Sequence, residues 1–587
     1  MQPPRFEIAE CPSADVARLR RELGVSGALA QVLVRRGLAD PERARAFLAA
    51  DEEHPPGSFA EIERAVATIL GHVRAGRRIT IHGDYDVDGI CSTAVLVRAL
   101  RGLGADVDHY LPDRMGDGYG LAEATVRRLA ERGTSLLVSA DCAITAVAEV
   151  ALARELGLDV VVSDHHSPRA DGALPDAPIV HPALCGYPCA DLCATAVAYK
   201  LAQAVVQGAG EDPRALERDL DLVALATVAD VVTLRGENRA LVRRGLRVLA
   251  ATTKPGLRAL MRVARVEPGR VDERAIGFAL APRLNAAGRL YRADAGLELL
   301  MTEDRLRAAQ VADELDRANH ERREVETRIR WEAEAQIGEL GERGAYVLAG
   351  DGWHAGVVGI VAARLAEHHN RPVVLIALAG DRGRGSARSV PAYDLLAGLD
   401  ACSEHVVHHG GHRAAAGLEV ERGCVAALAR AFEAHAERAL APADLIAVER
   451  VDAVVGGDEL SMALAEELQS LAPFGRGNPA VSLMVADATF ADVRPMGEGR
   501  HARFTVHSRG ARARAVAFGG GATLPVADGE PVEATFKLEV NEFNGVSEPR
   551  LVLRHAAPAA PAVQAARLPR EPEPLEEDGE LVLFALT

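Results

Sequence analysis

Between Ala60 and about Leu234 the sequence alternates helical stretches with short β-branched runs: RRITI (77–81), SLLVSA (135–140), DVVVS (159–163) and PIV (178–180). Strands separated by helices in this way imply a mainly parallel sheet with helices on both faces, and such sheets place their sites at the carboxyl ends of the strands. That is where the reactive residues fall. RRITI runs into His82-Gly83-Asp84-Tyr85-Asp86-Val87-Asp88-Gly89, SLLVSA into Asp141-Cys142, DVVVS into Asp164-His165-His166, and LVALATVA into Asp230.

Three carboxylates at spacing two followed by glycine mimic the opening of a calcium EF-hand loop. The match fails at the twelfth loop position, where Val95 stands in place of a bidentate glutamate, and a strand rather than a helix precedes the loop. Strand-like alternation would instead send His82, Asp84, Asp86 and Asp88 toward one side. A lone aspartate at a strand or helix end is usually a cap or turn residue. Four such ends together are not, and burying that many carboxylates is prohibitive without cations. Oxygen-rich ligands with imidazole and no thiolate suit Mn²⁺ or Mg²⁺; two such ions, about 3.5–4 Å apart, would activate water for in-line phosphoryl displacement.

The rest of the 587-residue chain divides by texture. Residues 1–55 read as a helical segment and 56–300 as the parallel-sheet domain. Residues 301–340 form a charge-laced connecting helix without Gly or Pro before Gly338, and 341–445 a smaller α/β domain. Residues 446–558 carry short strands (ATFADV, HARFTVHS, RARAVAF, VEATFKLEV, PRLVLR) that suggest an antiparallel barrel, and 559–587 a linker and acidic tail. With 48% hydrophobic and 26% charged residues, global disorder is excluded. The net charge of −17 argues at first against a polyanionic partner, but local distribution outweighs the sum. The start lacks a basic-then-apolar signal and no apolar run is long enough to span a bilayer, so a cytosolic protein without a membrane partner is expected. Cys185, Cys189 and Cys193 follow His181 at spacings of four, unlike a zinc knuckle, and read as buried small thiols.

HGDYDVDG, DC (141–142), SDHH (163–166) and ATVADVV (226–232) resemble the four motifs of the DHH phosphoesterase superfamily. GENRALVRRGL (236–246), PRLNAAGRL (282–290), WHAGVVGIVAARL (353–365), GSARS (385–389), GGHRAAAGL (410–418) and PFGRGNPAV (473–481) then resemble, in order, the RecJ single-stranded-DNA-specific exonucleases. The resemblance runs from about residue 60 to 555. It implies an α/β fold with a parallel-sheet DHH phosphoesterase domain, a long connecting helix, a DHH-associated domain and a C-terminal OB-fold β-barrel.

Carried onto this chain, the resemblance gives one metal to His82, Asp86 and Asp141 and the other to Asp88, Asp141, His165 and Asp230, with Asp141 bridging. His166 would face the scissile phosphate or the leaving group, and Asp84 would be a ligand or a base near the attacking water. A 5′-phosphate pocket is implied at Arg289, Ser386 and Arg388, with Arg114, because Arg forks and a hydroxyl suit a terminal phosphate. Gly410, Gly411 and His412 resemble the phosphate-approaching signature of the DHH-associated domain. In the barrel, Arg494, Arg500, Arg503, Arg509, Arg512 and Arg514 with Phe504, Phe518 and Phe543 offer charge and stacking faces to single strands. Two departures stand out: Ala143 where the family pattern has Gly, and LCATAVAYK where it is richer in glycine.

The implied activity is metal-dependent 5′-to-3′ exonucleolysis of single-stranded DNA to mononucleotides in recombination and repair, by a monomer working with a helicase and a single-strand-binding protein. The competing readings are a short-oligonucleotide or cyclic-dinucleotide phosphodiesterase of the same superfamily, which would lack the barrel, and a non-catalytic DNA-binding relative, which would have lost metal ligands.

Overall fold

The computed structural model describes residues 4–112, 120–290, 294–519, 521, 523–543 and 545–559. These form two compact units, one of residues 50–446 with 472–479, the other of residues up to 49, 447–471 and 480 onward. Among the described residues no helix is long and apolar enough to cross a membrane.

In the first unit, β1 (Ile79–His82), α1 (Val87–Gly102), β2 (Val107–Tyr110), β3 (Leu136–Ser139), β4 (Asp159–Ser163) and β5 (Ile179–Val180) build a five-stranded sheet in the order β2-β1-β3-β4-β5. All pairings are parallel. His82 stands in register with Tyr110 and Ser139, so the loops after β1 and β3 leave from the same edge. The central strands are buried on both faces, which is why they read as continuous apolar runs. β2 was not legible: VDHY is a short, half-polar edge strand. The helices α2 (Ala194–Gly208) and α3 (Leu220–Ala229) pack in the same core.

Farther along come α4 (Ala281–Leu290) and the 36-residue helix α5 (Arg305–Leu340), capped by Asp304, whose carboxylate accepts from the Leu306 N–H at 2.8 Å. The buried stripe of α5 serves two cores. Ala308, Val311, Ala312 and Leu315 join the sheet core, while Ile329, Ala333 and Ile337 join a second one with Tyr346 and Leu365. Between them the stripe is polar: Arg322 donates to Asn319 at 3.0 Å and to Glu326 at 2.9 Å, and Arg364 pairs with Glu326.

The smaller α/β layer comprises β6 (Tyr346–Asp351), α6 (Ala355–His369), β7 (Val373–Ala379), β8 (Arg382–Arg388), β9 (His408–Gly411), β10 (Ala415–Glu421) and α7 (Val425–Ala439). Its sheet runs β9-β10-β8-β7-β6, with only β6 and β7 parallel.

The second unit centres on five strands, β11 (Ala488–Met496), β12 (His501–Ser508), β13 (Ala511–Phe518), β14 (Pro531–Phe543) and β15 (Val546–Pro558). Pairings β11–β12–β13–β15–β14–β11 close a barrel, and only β13–β15 is parallel. Phe490, Phe504 and Phe536 fill it. Phe504 is therefore core rather than a stacking face. Phe518 is exposed at the surface, with the Arg550 guanidinium 6.0 Å from its ring centre, and the side chain of Phe543 lies outside the described residues. Residues up to 49 belong to this unit. Arg5–Glu7 pairs in parallel with Val448–Arg450, Gln31 exchanges two 3.1 Å hydrogen bonds with the Val454 backbone, and Arg36 donates from Nε and Nη2 to the two carboxylate oxygens of Asp452. Of the three clustered cysteines, Cys185 and Cys193 are buried and Cys189 is half-buried; Cys185 donates to the Ile179 carbonyl and Cys193 lies 3.3 Å from the Thr227 hydroxyl.

Candidate metal centre and phosphate pocket

The chain leaves β1 at His82 and enters α1 at Val87, so the acidic loop is also a helix start. Asp86 caps α1, accepting from the Asp88 and Gly89 N–H groups at 3.0 and 3.1 Å. Gly89 is required by close approach, since a Cβ there would stand 2.5 Å from the Asp84 carbonyl oxygen. From behind, Asn285 of PRLNAAGRL accepts from the Val87 N–H at 3.0 Å and pins the loop. Asp88 is directed at the start of α2, where it takes hydrogen bonds from the Ala194 N–H (2.8 Å), the Thr195 N–H (2.7 Å) and the Thr195 hydroxyl (2.6 Å). The departures in LCATAVAYK leave this contact intact.

Three sets of side chains place one ligand atom each within 4.8 Å of one another: Asp84, Asp86 and Asp141; Asp88, His165 and Asp230; Asp141, His165 and His166. The His165 Nε2 lies 3.3 Å from Asp141 and 3.8 Å from both Asp88 and Asp230. Asp141 thus takes part in two of the three sets. The first of these sets includes Asp84, which the resemblance allows as a ligand, and not His82. His82 stacks on the Tyr110 ring at 5.5 Å, with its Nδ1 3.4 Å from the Cys142 sulfur, and belongs to none of the three sets.

Burial and then the neighbouring carboxylates, Asp88 first, hold Asp141 well above the usual carboxylate range, and Asp86 is raised in the same way. The same causes push Asp230 up to about 8, against the opposing charges of His166 and then Arg476. Carboxylates that destabilise one another's charged forms, joined by imidazole and no thiolate, fit Mn²⁺ or Mg²⁺. His166 is drawn down by burial, but its 2.9 Å hydrogen bond to Asp164 and that residue's charge prevail and raise it to about 9.

A pH dependence follows for the metal-free protein. Asp230 holds its proton to about 8 when folded but only to 3.8 when unfolded, so across that interval the unfolded state binds fewer protons and stability falls as pH rises. His166 adds the same sign: its contribution is full below the ordinary 6.5 and is lost as pH passes about 9. Melting curves of chelator-treated protein should show Tm falling from about pH 5 to about pH 9, with Mn²⁺ raising Tm most at the alkaline end. A flat profile would count against a crowded carboxylate centre.

The site also holds backbone strain. Asp141 (φ 72°), Ala143 (φ 83°) and Val231 (φ 57°) are all left-handed. This explains why glycine suits position 143: an Ala there costs about 1–2 kcal/mol, partly offset by the about 0.4–1 kcal/mol it removes from unfolded-state entropy. Ala143→Gly should therefore stabilise the protein by up to about 1.6 kcal/mol, measured by denaturant titration.

Ser386 and Arg388 line a cavity of ≈ 400 Å³ against Gly356, Gly359 and Ile360 of α6. Arg388 donates to the Ser386 hydroxyl at 3.0 Å and to the Ala387 carbonyl at 2.8 Å. Burial lowers its pKa, and no carboxylate stands against it among the described residues. A half-buried guanidinium without an acid partner is poised for an anion. Arg114 and the side chain of Arg289 lie outside the described residues. Gly410, Gly411 and His412 run along the exposed sheet edge, with Gly410 in register with Gly417 and Gly417 with Ser386. Gly411 cannot carry a side chain, since a Cβ would meet the Ala415 carbonyl at 2.5 Å.

Residues 78–227 match the DHH family, N-terminal domain, residues 341–439 the DHHA1 domain, and residues 451–555 the RecJ OB domain. The single-stranded-DNA-specific exonuclease RecJ of Bacillus subtilis is 36% identical over 563 residues, 94% of this chain and 71% of that protein. The chain belongs to the RecJ family. The single-stranded-DNA-specific exonuclease RecJ of Escherichia coli is 35% identical over 532 residues, covering 86% of this chain and 91% of that one. Among solved structures, RecJ of Thermus thermophilus in complex with Mn²⁺ superposes with a TM-score of 0.83 at 30% identity, covering 95% of this chain and 80% of that chain. The corresponding Mg²⁺ complex gives 0.77.

Within this RecJ centre, sequence reasoning assigned no role to three residues. Asp164 orients His166 while accepting from the His165 and Ile144 N–H groups. Thr195 holds Asp88, and Arg476 faces Asp230 electrostatically. Arg476 lies in PFGRGNPAV, a motif to which the sequence alone attaches no chemistry.

Proposed function

We propose that this RecJ-family chain removes nucleotides from the 5′ end of single-stranded DNA by divalent-metal-dependent hydrolysis, releasing mononucleotides, in recombination and repair. The observation that carries the reading is the convergence of Asp84, Asp86, Asp88, Asp141, His165 and Asp230 into overlapping ligand sets. Asp84, Asp86 and Asp141 would hold one ion, and Asp88, Asp141, His165 and Asp230 the other; His82 would brace the loop through Tyr110 and Cys142. Bound Mn²⁺ or Mg²⁺ supplies Lewis acidity that activates water and offsets charge on the phosphoryl group. His166, kept protonated by Asp164, would donate to the scissile phosphate or the leaving oxygen. Ser386 and Arg388, with Arg289 and Arg114, would seat the terminal 5′-phosphate, while Gly410, Gly411 and His412 approach the backbone.

Cleavage of 5′-labelled against 3′-labelled oligonucleotide with Mn²⁺ tests this directly. Early release of labelled mononucleotide from the 5′ label alone is expected, and release from the 3′ label first would reverse the polarity. Arg388→Ala should weaken the preference for a 5′-phosphorylated over a 5′-hydroxyl strand by about 1.5–3 kcal/mol. Equal losses on both substrates would make Arg388 structural.

The cyclic-dinucleotide reading is disfavoured by the closed barrel, on which Arg494, Arg503, Arg512 and Phe518 are all exposed. Assistance from a helicase and a single-strand-binding protein, and action as a monomer in the cytoplasm, form part of the proposal.

A further inference from the structure

Away from the centre described above, the described residues gather one more set of ligating side chains. Glu334 on α5 and His368 and His369 at the end of α6 place one donor atom each within 4.8 Å of one another. The His369 Nε2 lies 2.9 Å from a Glu334 oxygen, and its ring packs edge-on against Tyr346 at 5.7 Å. On the solvent side the His368 ring meets His369 edge-on at 4.8 Å. Arg330, one turn earlier, stands 4.0 Å from the other Glu334 oxygen, which leaves the first oxygen to the imidazoles. The set also sits at the C-terminal end of a 15-residue helix, where the helix dipole favours a cation.

We propose that Glu334, His368 and His369 bind a transition-metal ion of the Zn²⁺ class, completed by water, which clamps the end of α6 to α5. Two imidazoles and one carboxylate favour Zn²⁺, Co²⁺ or Ni²⁺, a preference opposite to that of the oxygen-rich centre. The other end of α6 contributes Gly356 and Gly359 to the phosphate cavity. An ion at the far end would therefore fix the helix against which that cavity is built.

The test is equilibrium dialysis of the full-length, chelator-stripped protein against Zn²⁺ alone, with circular dichroism to monitor folding. The catalytic centre also takes Zn²⁺, so the parent is compared with Asp141→Asn and with His368→Ala/His369→Ala. The double variant should bind one ion fewer than the parent, whereas Asp141→Asn should keep that ion. Glu334→Gln, which preserves shape, should weaken it by more than about 100-fold, beyond the effect of losing an outer-shell partner. Should the double variant fail to fold, the visible Co²⁺ ligand-field spectrum of Glu334→Gln decides alone: a change from the parent supports the site and an unchanged spectrum overturns it. Equal ion counts in parent and double variant would mean that Glu334 and His369 form only a hydrogen bond.

Discussion

Asn in place of Asp141 is expected to lower hydrolysis by at least about 10³-fold, and the metal-free variant to melt above the parent at about pH 8. The loss exceeds that of a single transition-state hydrogen-bond donor because Asp141 takes part in two ligand sets, so its removal disables both. The gain in stability arises because Asp141 is buried among Asp84, Asp86, Asp88 and Asp164, and a neutral amide relieves that repulsion. Asn is the suitable replacement, since it tolerates the left-handed backbone at this position better than Ala. Single-turnover cleavage and thermal melts with chelator read the two effects separately. Near-normal cleavage would remove Asp141 from the metal centre.

Glu237→Gln is expected to destabilise the protein by about 3–5 kcal/mol, lowering Tm by about 4–6 °C for a unit of this size. Glu237 and Lys200 are both fully buried and 2.6 Å apart. Around them the Tyr187 hydroxyl donates to Glu237 at 2.8 Å, the His54 N–H donates to it at 3.0 Å, and Lys200 donates to the His54 carbonyl at 2.7 Å. Removing one charge strands the other in a dry interior. Lys200→Met combined with Glu237→Gln should recover most of the loss, because the desolvated charge then disappears with its partner. If the double variant is no more stable than Glu237→Gln, the network acts by shape rather than by charge.

That network also marks where sequence reading stops. Its members lie at positions 54, 187, 200 and 237, with no local pattern linking them, although GENRALVRRGL stands out as a motif. The buried strands were legible as continuous apolar runs, α5 as a long charge-laced stretch without Gly or Pro before Gly338, and the five barrel strands as short runs between turns. Arg5–Glu7 was not, because a three-residue parallel pairing with Val448–Arg450 leaves no periodic trace. At the site, strand alternation placed His82 with Asp84, Asp86 and Asp88, but the chain abandons the strand at His82 and is helical from Val87, so the period of two ends there. Asp164 was visible as a strand-end residue, yet its task of orienting His166 depends on a side-chain contact. Ala143 was visible as a departure from the family pattern, and the left-handed backbone gives that departure its physical meaning.

Helix α5 ties the fate of its two apolar clusters together. At 36 residues and 1.5 Å per residue it is about 54 Å long, and neither cluster is complete without its half of the helix. Loss of one cluster therefore frays the scaffold of the other, and the two are expected to form and dissolve cooperatively despite being separate clusters. The polar stretch at Asn319, Arg322 and Glu326 is where that cooperativity is weakest, because hydrogen bonds and ion pairs there replace apolar packing. Fluctuations that pass between the clusters without unfolding either one have this segment as their natural flexure.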